Sequence, residues 1–205
     1  MRDDSGHQRD GDILSAVSLL TDGNLAIRFK CIPFVLCLIS MASVEDEMAA
    51  GEQALANLDY DKAYPHFEKA TKLDAGNAWA WFGKAESALG MPKIEPDQIV
   101  GFYTKAIELD PKNPQFKEAL GTLLVDMGRF NEAEQQYNQA AETDPENASY
   151  YWLGFAVEYA TKAPIVMEQF LDDKTRDIIA AKSLNYALKA LKLSRDDAKR
   201  VLSTG

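Results

Sequence analysis

The chain is poor in the side chains from which most metal centres and hydrolytic sites are built. Its 205 residues include two histidines, His7 and His66, and two cysteines, Cys31 and Cys37. The cysteine spacing matches no metal-binding pattern, and no histidine lies near it in sequence. No disulfide framework is possible outside this short stretch, so a reducing compartment fits best. We expect no metal, no cofactor and no catalytic residue, and therefore no enzyme.

Basic side chains are also in the minority. Lysine and arginine total 22 against 32 aspartate and glutamate, which gives a net charge of −10. A nucleic-acid partner is not expected, because phosphates require a basic surface. The acidic excess lies in residues 44–160, with 21 acidic and 9 basic side chains, whereas residues 161–205 have 6 and 9. This acidic middle favours a basic protein partner.

A long apolar run is missing as well. The longest, Cys31–Ile39, is about half the length that a membrane-spanning helix needs, and it contains Pro33. We interpret residues 1–43 as a disordered or spurious extension, with Met41 as the natural start. The alternatives are an export signal or membrane anchor over residues 25–42, or a packed helix. The first interpretation predicts a cytoplasmic protein, and the signal predicts an exported or anchored one.

From residue 44 onward the sequence repeats itself. Three segments end at Asn77, Asn113 and Asn147, which are 36 and 34 residues apart. An aromatic residue and an alanine precede each ending at similar spacing. This period, with helical patterning, predicts stacked two-helix units. The recurring pairs are Phe67 with Ala70, Tyr103 with Ala106, and Tyr137 with Ala140.

The third unit, residues 114–147, shows the pattern most clearly. Apolar residues recur at three- to four-residue spacing in its first helix. Gly128 is expected to end that helix in a left-handed conformation, and Asp144-Pro145 to stop the second. The apolar stripe consists of Phe116, Ala119, Leu120, Leu123 and Leu124.

These residues resemble the tetratricopeptide repeat family, whose pattern is W-x2-L-G-x2-Y followed by A-x3-F, A and P. The resemblance implies an all-α fold, a right-handed superhelical solenoid of stacked antiparallel helix pairs. It places a domain at residues 44–205, with regular repeats at about 44–77, 78–113 and 114–147. The third unit matches at Leu120, Gly121, Ala133, Tyr137, Ala140 and Pro145.

The fourth unit, residues 148–194, departs from this pattern. Its second helix is predicted only at about Ile178–Leu193, roughly sixteen residues late. The intervening segment has Pro164 at an expected helix start and is interpreted as an extra short helix or a lengthened first helix. Ser194 opens a predicted closing helix over residues 195–203, whose polar character suits the end of a solenoid.

The resemblance also implies a function, that of a protein–protein interaction scaffold or adaptor. In the family, peptides contact particular faces of the first helices, which line the concave surface. The implied groove is acidic and aromatic, so the expected partner is a basic protein or peptide with an apolar anchor. The runner-up is a non-catalytic assembly factor or subunit tethered to a membrane by the N-terminal apolar segment. The residues carried over are Met48, Glu52, Trp79, Phe82, Glu86, Glu118, Thr122, Trp152 and Tyr159.

One ligand class is not expected. Co-chaperone repeats that hold the acidic C-terminal tails of heat-shock proteins use lysine, asparagine and arginine on these faces. Here the matching places would repel an acidic tail, so we predict no such binding. Those places hold Met48, Glu52, Glu86, Glu118 and Thr122.

Several aromatic residues are expected to pack in the core rather than bind a ligand. Core positions are predicted for Trp81, Tyr103, Phe116 and Tyr137. Two roles are left open for Trp79, Phe82 and Trp152: contact with a ligand in the groove, or packing between repeats.

Overall fold

In a computed structural model of the protein, residues 44–203 are described, apart from the side chains of residues 201 and 202. The interpretation of residues 1–43 as an extension, and its alternative of a signal or anchor over residues 25–42, concern residues outside the described range. From Asp46 onward the described residues belong to one compact unit. No helix of the described part is long and apolar enough to cross a membrane.

All regular elements of residues 44–203 are helical, as the sequence predicts. These residues form an all-α solenoid in which successive helices between Tyr60 and Leu191 pack on one another, and the helix Pro114–Asp126 also packs on the helix Ala148–Val166. Short 3₁₀ turns at Pro145–Asn147 and Glu168–Phe170 flank α7. The helices are α1 (44–56), α2 (Tyr60–Leu73), α3 (Ala78–Ala88), α4 (Pro96–Leu109), α5 (Pro114–Asp126), α6 (Phe130–Thr143), α7 (Ala148–Val166), α8 (Asp173–Leu191) and α9 (Arg195–Ser203).

Local signals in the sequence set the ends of the regular helices. The side chain of Asn77 caps α3 by accepting from the Ala80 N–H at 3.1 Å, and that of Asn113 caps α5 by accepting from the Gln115 N–H at 3.1 Å. Gly128 has a φ of +74°, which confirms the predicted left-handed end of α5.

The core lies between the paired helices. Phe116, Leu120 and Leu124 of α5 are at most 4% exposed. Leu120 and Leu124 share a core cluster with Tyr103 of α4 and Tyr137 of α6. Gly121 lets α6 approach closely, because a Cβ there would lie 2.8 Å from a ring carbon of Tyr137. The absence of one side chain thus makes room for a buried aromatic ring.

Three of the four predicted core aromatics, Tyr103, Phe116 and Tyr137, are buried. Trp81 is the exception, because it is only partly buried. Its indole N–H donates to the Ala75 carbonyl at 3.0 Å, which holds the ring at the edge of the second unit.

The fourth unit has a lengthened first helix, one of the two arrangements expected. Pro164 does not start a helix but lies in the last turn of α7, where only two helical residues follow it. The α8 helix begins at Asp173, five residues before the predicted Ile178. The missed signal is Asp172, whose carboxylate caps α8 by accepting from the Thr175 N–H at 2.7 Å.

The predicted cap of the closing helix is present. The Asp197 N–H donates to Ser194 Oγ at 3.1 Å, and the Ser194 N–H donates to Asp197 Oδ2 at 3.1 Å. This reciprocal pair starts α9 where the sequence indicated.

Candidate functional site

Two concave pockets lie side by side along the first helices of the units. The first, of about 350 Å³, is lined by α3, α5 and Tyr103 of α4. The second, of about 320 Å³, is lined by α5, α7 and Tyr137 of α6. Glu118 and Thr122 line both pockets, so we treat the two together as one groove and call it the groove.

Four of the predicted site residues meet in the first pocket. They are Phe82 and Glu86 from α3 and Glu118 and Thr122 from α5. Aliphatic side chains of Leu89 and Leu123 lie beside them. The pocket therefore offers both carboxylates and apolar surface.

An aromatic cluster holds the wall of this pocket. The Phe82 ring stacks on Phe116 with centroids 5.0 Å apart and meets Tyr103 edge-on at 5.8 Å. Trp79 contacts Phe116 edge-on at 4.9 Å, yet remains 46% exposed. Phe82 and Trp79 thus both pack against the core and present part of their surface outward.

The groove is acidic. Its lining includes four carboxylates and neither lysine nor arginine. Two of the four are offset by Lys162 of α7, whose Nζ lies 2.7 Å from Asp126 Oδ1 and 2.6 Å from Glu158 Oε2. Glu86 and Glu118 supply the other two charges, and Glu118 lies where the pockets join.

Glu86 and Glu118 have different surroundings. Glu86 is largely enclosed, and this burial raises its pKa although the Tyr103 hydroxyl donates to it at 2.5 Å. Burial, followed by the charge of Glu86, raises the pKa of Tyr103 in turn. Glu118 accepts a hydrogen bond from Tyr150, which raises the pKa of that hydroxyl. Glu118 is thus the carboxylate that the groove presents at its centre.

Residues of α7 that line the groove were missed by the sequence analysis. They are Tyr150, Leu153, Gly154, Val157 and Glu158. Each of them lies 35 residues after its counterpart in α5, whereas the asparagine spacing implies 34. Burial shows the same offset, because Tyr151, Phe155 and Tyr159 repeat the buried stripe of Phe116, Leu120 and Leu124.

The cause of the shift is local. Asn147 does not cap α7 as Asn77 and Asn113 cap their helices. Instead it closes a 3₁₀ turn, and its side-chain amide donates to Asp144 Oδ2 at 2.9 Å. The aromatic stripe of α7 was the signal that would have located the outward face.

Two predicted residues of α7 do not line the groove. The shift accounts for Trp152, whereas Tyr159 corresponds to a buried residue of α5 in either register, Leu124 or Val125. Tyr159 is 6% exposed, and its ring stacks on Phe155 and meets Phe130 edge-on. Trp152 faces α8, with Lys189 Nζ 4.0 Å from its ring centroid. Both side chains join helices of the protein to each other rather than lining the groove.

Two further predicted residues lie on α1. Met48 is half-buried and Glu52 is exposed, and neither lines the two pockets. Trp79 occupies in α3 the place that Gln115 occupies in α5, 36 residues later, where Gln115 lines the first pocket.

Sequence comparison decides the family. Two family models, each described as tetratricopeptide repeat, match residues 48–114 and 95–154. The chain belongs to the tetratricopeptide repeat family. The fourth unit beyond residue 154 lies outside both matches.

Curated relatives share part of these tetratricopeptide repeats. Small glutamine-rich tetratricopeptide repeat-containing protein 2 of Mycosarcoma maydis is 29% identical over 52% of this chain and 30% of its own length. The STIP1 homolog of Dictyostelium discoideum is 31% identical over 54% of this chain and 19% of its own length. The chain therefore spans less than a third of the length of these relatives.

Solved structures show the same repeat fold. A crystal structure of MamA covers 76% of this chain and 81% of its own, with a TM-score of 0.58 at 17% identity. The tetratricopeptide repeat domain of Arabidopsis OM64 covers 58% and 93%, with a TM-score of 0.51 at 24% identity. At these identities the likeness concerns the fold alone.

Proposed function

We propose that the tetratricopeptide repeats form a non-catalytic protein–protein interaction scaffold that binds a peptide or an extended segment of a partner protein in the groove. Membership of the family supports protein binding in general. The observation that carries the specific proposal is the composition of the groove. Its lining has four carboxylates and no basic residue, with leucine and aromatic side chains between them.

The chemistry of the lining defines the partner segment. A lysine or arginine of the segment is held at Glu118, which both pockets share. An apolar side chain of the segment packs in the first pocket against Phe82, Leu89 and Leu123. Charged hydrogen bonds of this kind contribute about 1.5–3 kcal/mol each, less where water reaches them, so the apolar anchor is needed for specific binding.

The proposed surface extends over the units as follows. Glu118 and Thr122 form its centre, and Glu86 lies beside them in the first pocket. Trp79, Met48 and Glu52 extend it toward the first unit. In the fourth unit Tyr150, Leu153 and Val157 take the place of the two residues that the structure turns inward.

A random peptide library panned against the domain tests the partner chemistry. We expect enriched peptides that combine lysine or arginine with a leucine, phenylalanine or tryptophan, because only these satisfy both parts of the lining. A peptide that ends in Glu-Glu-Val-Asp, titrated in parallel, is expected not to bind. Enrichment of acidic peptides, or tight binding of that tail, would contradict the proposal.

A pair of charge reversals tests the place of binding. Glu118→Lys should weaken binding of an enriched peptide by about 10-fold or more, since it replaces an attraction by a repulsion at the centre of the groove. Glu142→Lys is the matched control, because Glu142 is exposed on α6 and lines neither pocket. Equal affinities of the two variants, measured by fluorescence anisotropy, would exclude the groove as the binding site.

A further inference from the structure

One lysine of the chain already contacts two carboxylates of the acidic groove. Lys162 of α7 places its Nζ 2.7 Å from Asp126 Oδ1 of α5 and 2.6 Å from Glu158 Oε2 of its own helix. Asp126 lines the first pocket and Glu158 lines the second. A single ammonium group therefore neutralises one carboxylate of each pocket.

The surroundings of Lys162 hold it in this position. Glu158 precedes it by one turn of α7, which is the order in which a glutamate and a lysine attract best on a helix. Its side chain is 32% exposed, so water screens the two ion pairs only in part. Burial lowers the pKa of Lys162, but the hydrogen bonds to Asp126 and Glu158 outweigh it and raise the pKa above its ordinary value. Lys162 is therefore charged at neutral pH.

Glu118, where the two pockets join, has a different partner. It accepts its hydrogen bond from the Tyr150 hydroxyl, which carries no charge at neutral pH. Its own charge is thus left for a cation of a bound segment, whereas those of Asp126 and Glu158 are cancelled by Lys162. The groove has one cation place that a partner can fill and a second that the chain itself fills.

We propose that Lys162 substitutes for a second basic residue of the partner and so restricts the groove to segments with a single basic residue, held at Glu118. This inference rests on the proposed peptide binding and specifies the class of partner. A second lysine or arginine of a segment would have to displace Lys162. Because Lys162 is covalently part of α7, it competes at a high effective concentration. The matching position of the segment is therefore neutral or apolar.

The distance between the two cation places defines the spacing that Lys162 excludes. Glu118 and Asp126 are eight residues apart on α5, which is about 12 Å along the helix axis. An extended segment covers about 13 Å in four residues, and side chains four residues apart point to the same side. Two lysines at this spacing would fit both places once Lys162 is removed.

The test changes the peptide and Lys162 together. The probe is a peptide enriched by panning that carries one basic residue, compared with versions that have an added lysine two, four or six residues away on either side. With the wild type, the added lysine should change the affinity by less than about 2-fold, since exposed charges are screened. With Lys162→Met, the lysine four residues away should raise it by about 5-fold or more, because a charged hydrogen bond forms at a site that water partly reaches. Fluorescence anisotropy measures both.

Two further variants separate this effect from a change in net charge or in structure. Lys105→Met removes the same charge from α4, where Lys105 pairs with Glu108 at 3.1 Å and neither residue lines the pockets. It should behave as the wild type. Lys162→Arg keeps the cation and should also bind as the wild type does. All variants should have unchanged circular dichroism spectra.

Each outcome decides between Lys162 and the groove as a whole. If the wild type or Lys105→Met gains as much from the added lysine as Lys162→Met, the proposed role of Lys162 is wrong. A Lys162→Met variant that gains at none of the positions also overturns it, while peptide binding at Glu118 stands. Binding of the original peptide that Glu118→Lys fails to weaken would instead contradict the proposed function, and this inference with it.

Discussion

The third and fourth units bury the same stripe of first-helix residues but hold their second helices in different ways. In the third unit, α6 lies against Gly121 so closely that no side chain fits between them. In the fourth, α8 packs on α7, with the rings of Phe155 and Tyr186 4.8 Å apart, and polar groups also tie it to α6. Glu134 of α6 accepts from Lys182 Nζ at 2.6 Å and from the Tyr186 hydroxyl at 2.7 Å.

The two kinds of contact differ in whether water can replace them when the chain unfolds. The close packing around Gly121 is lost on unfolding, and water offers no equivalent contact. The hydrogen bonds of Glu134, in contrast, are partly exposed and exchange with bonds to water, so each contributes only about 1 kcal/mol net. We therefore expect the third unit to be rigid and sensitive to added atoms, and the fourth to open more readily.

The largest expected effect comes from adding one methyl group at two glycines that face the same ring. A Cβ on Gly121 would lie 2.8 Å from a carbon of the Tyr137 ring, whereas one on Gly154 would lie at 3.4 Å. Gly121→Ala should lower the free energy of unfolding by about 1–3 kcal/mol through overpacking. Gly154→Ala should leave it unchanged or raise it by up to about 1 kcal/mol, because alanine favours the helix. Urea unfolding measures both, and equal effects would mean that the two units pack alike.

Removing one hydroxyl tests the polar attachment of the fourth unit. Tyr186→Phe deletes the bond to Glu134 and the one that Asn138 donates to the hydroxyl at 2.9 Å, and should cost about 1–2 kcal/mol. Burial raises the pKa of Tyr186 to about 12, so the effect should be the same from pH 7 to pH 9. Hydrogen exchange should show faster opening of α8 than of α5. The control is Tyr150→Phe. The Tyr150 side chain is 60% exposed in the groove, so loss of its hydroxyl should change the free energy of unfolding little.

The smallest expected effect is a difference in melting temperature between variants of Glu86 and Glu158, the carboxylates at the two ends of the groove. Burial raises the pKa of Glu86, so the folded protein holds this proton more tightly than the unfolded chain. The stabilisation from Glu86 is thus full below the unfolded pKa and falls as pH rises through the folded pKa. Glu86→Gln should raise the melting temperature at pH 8 by about 2–4 °C per kcal/mol gained, and change it less at pH 4.

The same substitution at Glu158, at the other end of the groove, is expected to lower stability rather than raise it. Glu158 pairs with Lys162 at 2.6 Å, so Glu158→Gln removes an ion pair and should lower stability by about 0–1 kcal/mol at pH 8. If both glutamine variants shift the melting temperature in the same direction, the two ends of the groove do not differ in the way described.

Much of the fold follows from short-range signals. Gly128 and the Asp144-Pro145 step act within one turn of a helix, and the structure ends α5 and α6 there, as the sequence indicated. Asn77 and Asn113, which the sequence analysis used only to mark the ends of repeats, also cap the helices that follow them. The start of α8 escaped prediction because the capping Asp172 is followed by polar residues rather than by an apolar stripe.

Groove residues were predicted correctly where the repeat is regular and wrongly where it is irregular. Phe82, Glu86, Glu118 and Thr122 come together in the first pocket, where the two units have matching caps. Trp152 leaves the groove because Asn147 closes a 3₁₀ turn in place of a cap and shifts the register of α7 by one residue. Tyr159 is buried in either register, since Leu124 and Val125, its two possible counterparts in α5, are both buried. A one-residue change of register turns a helical side chain by about 100°, which is enough to move it from the surface to the core.

The sequence by itself determined that this chain folds as stacked helix pairs with an acidic middle, because periodicity, caps and charge are local properties. Only the tertiary structure decided which faces of α7 and α8 point outward. That choice depends on how Phe155 of α7 packs against Tyr137 of α6 and Tyr186 of α8, residues of three different helices that meet only when the fold forms. The position of the acidic groove is a consequence of that packing.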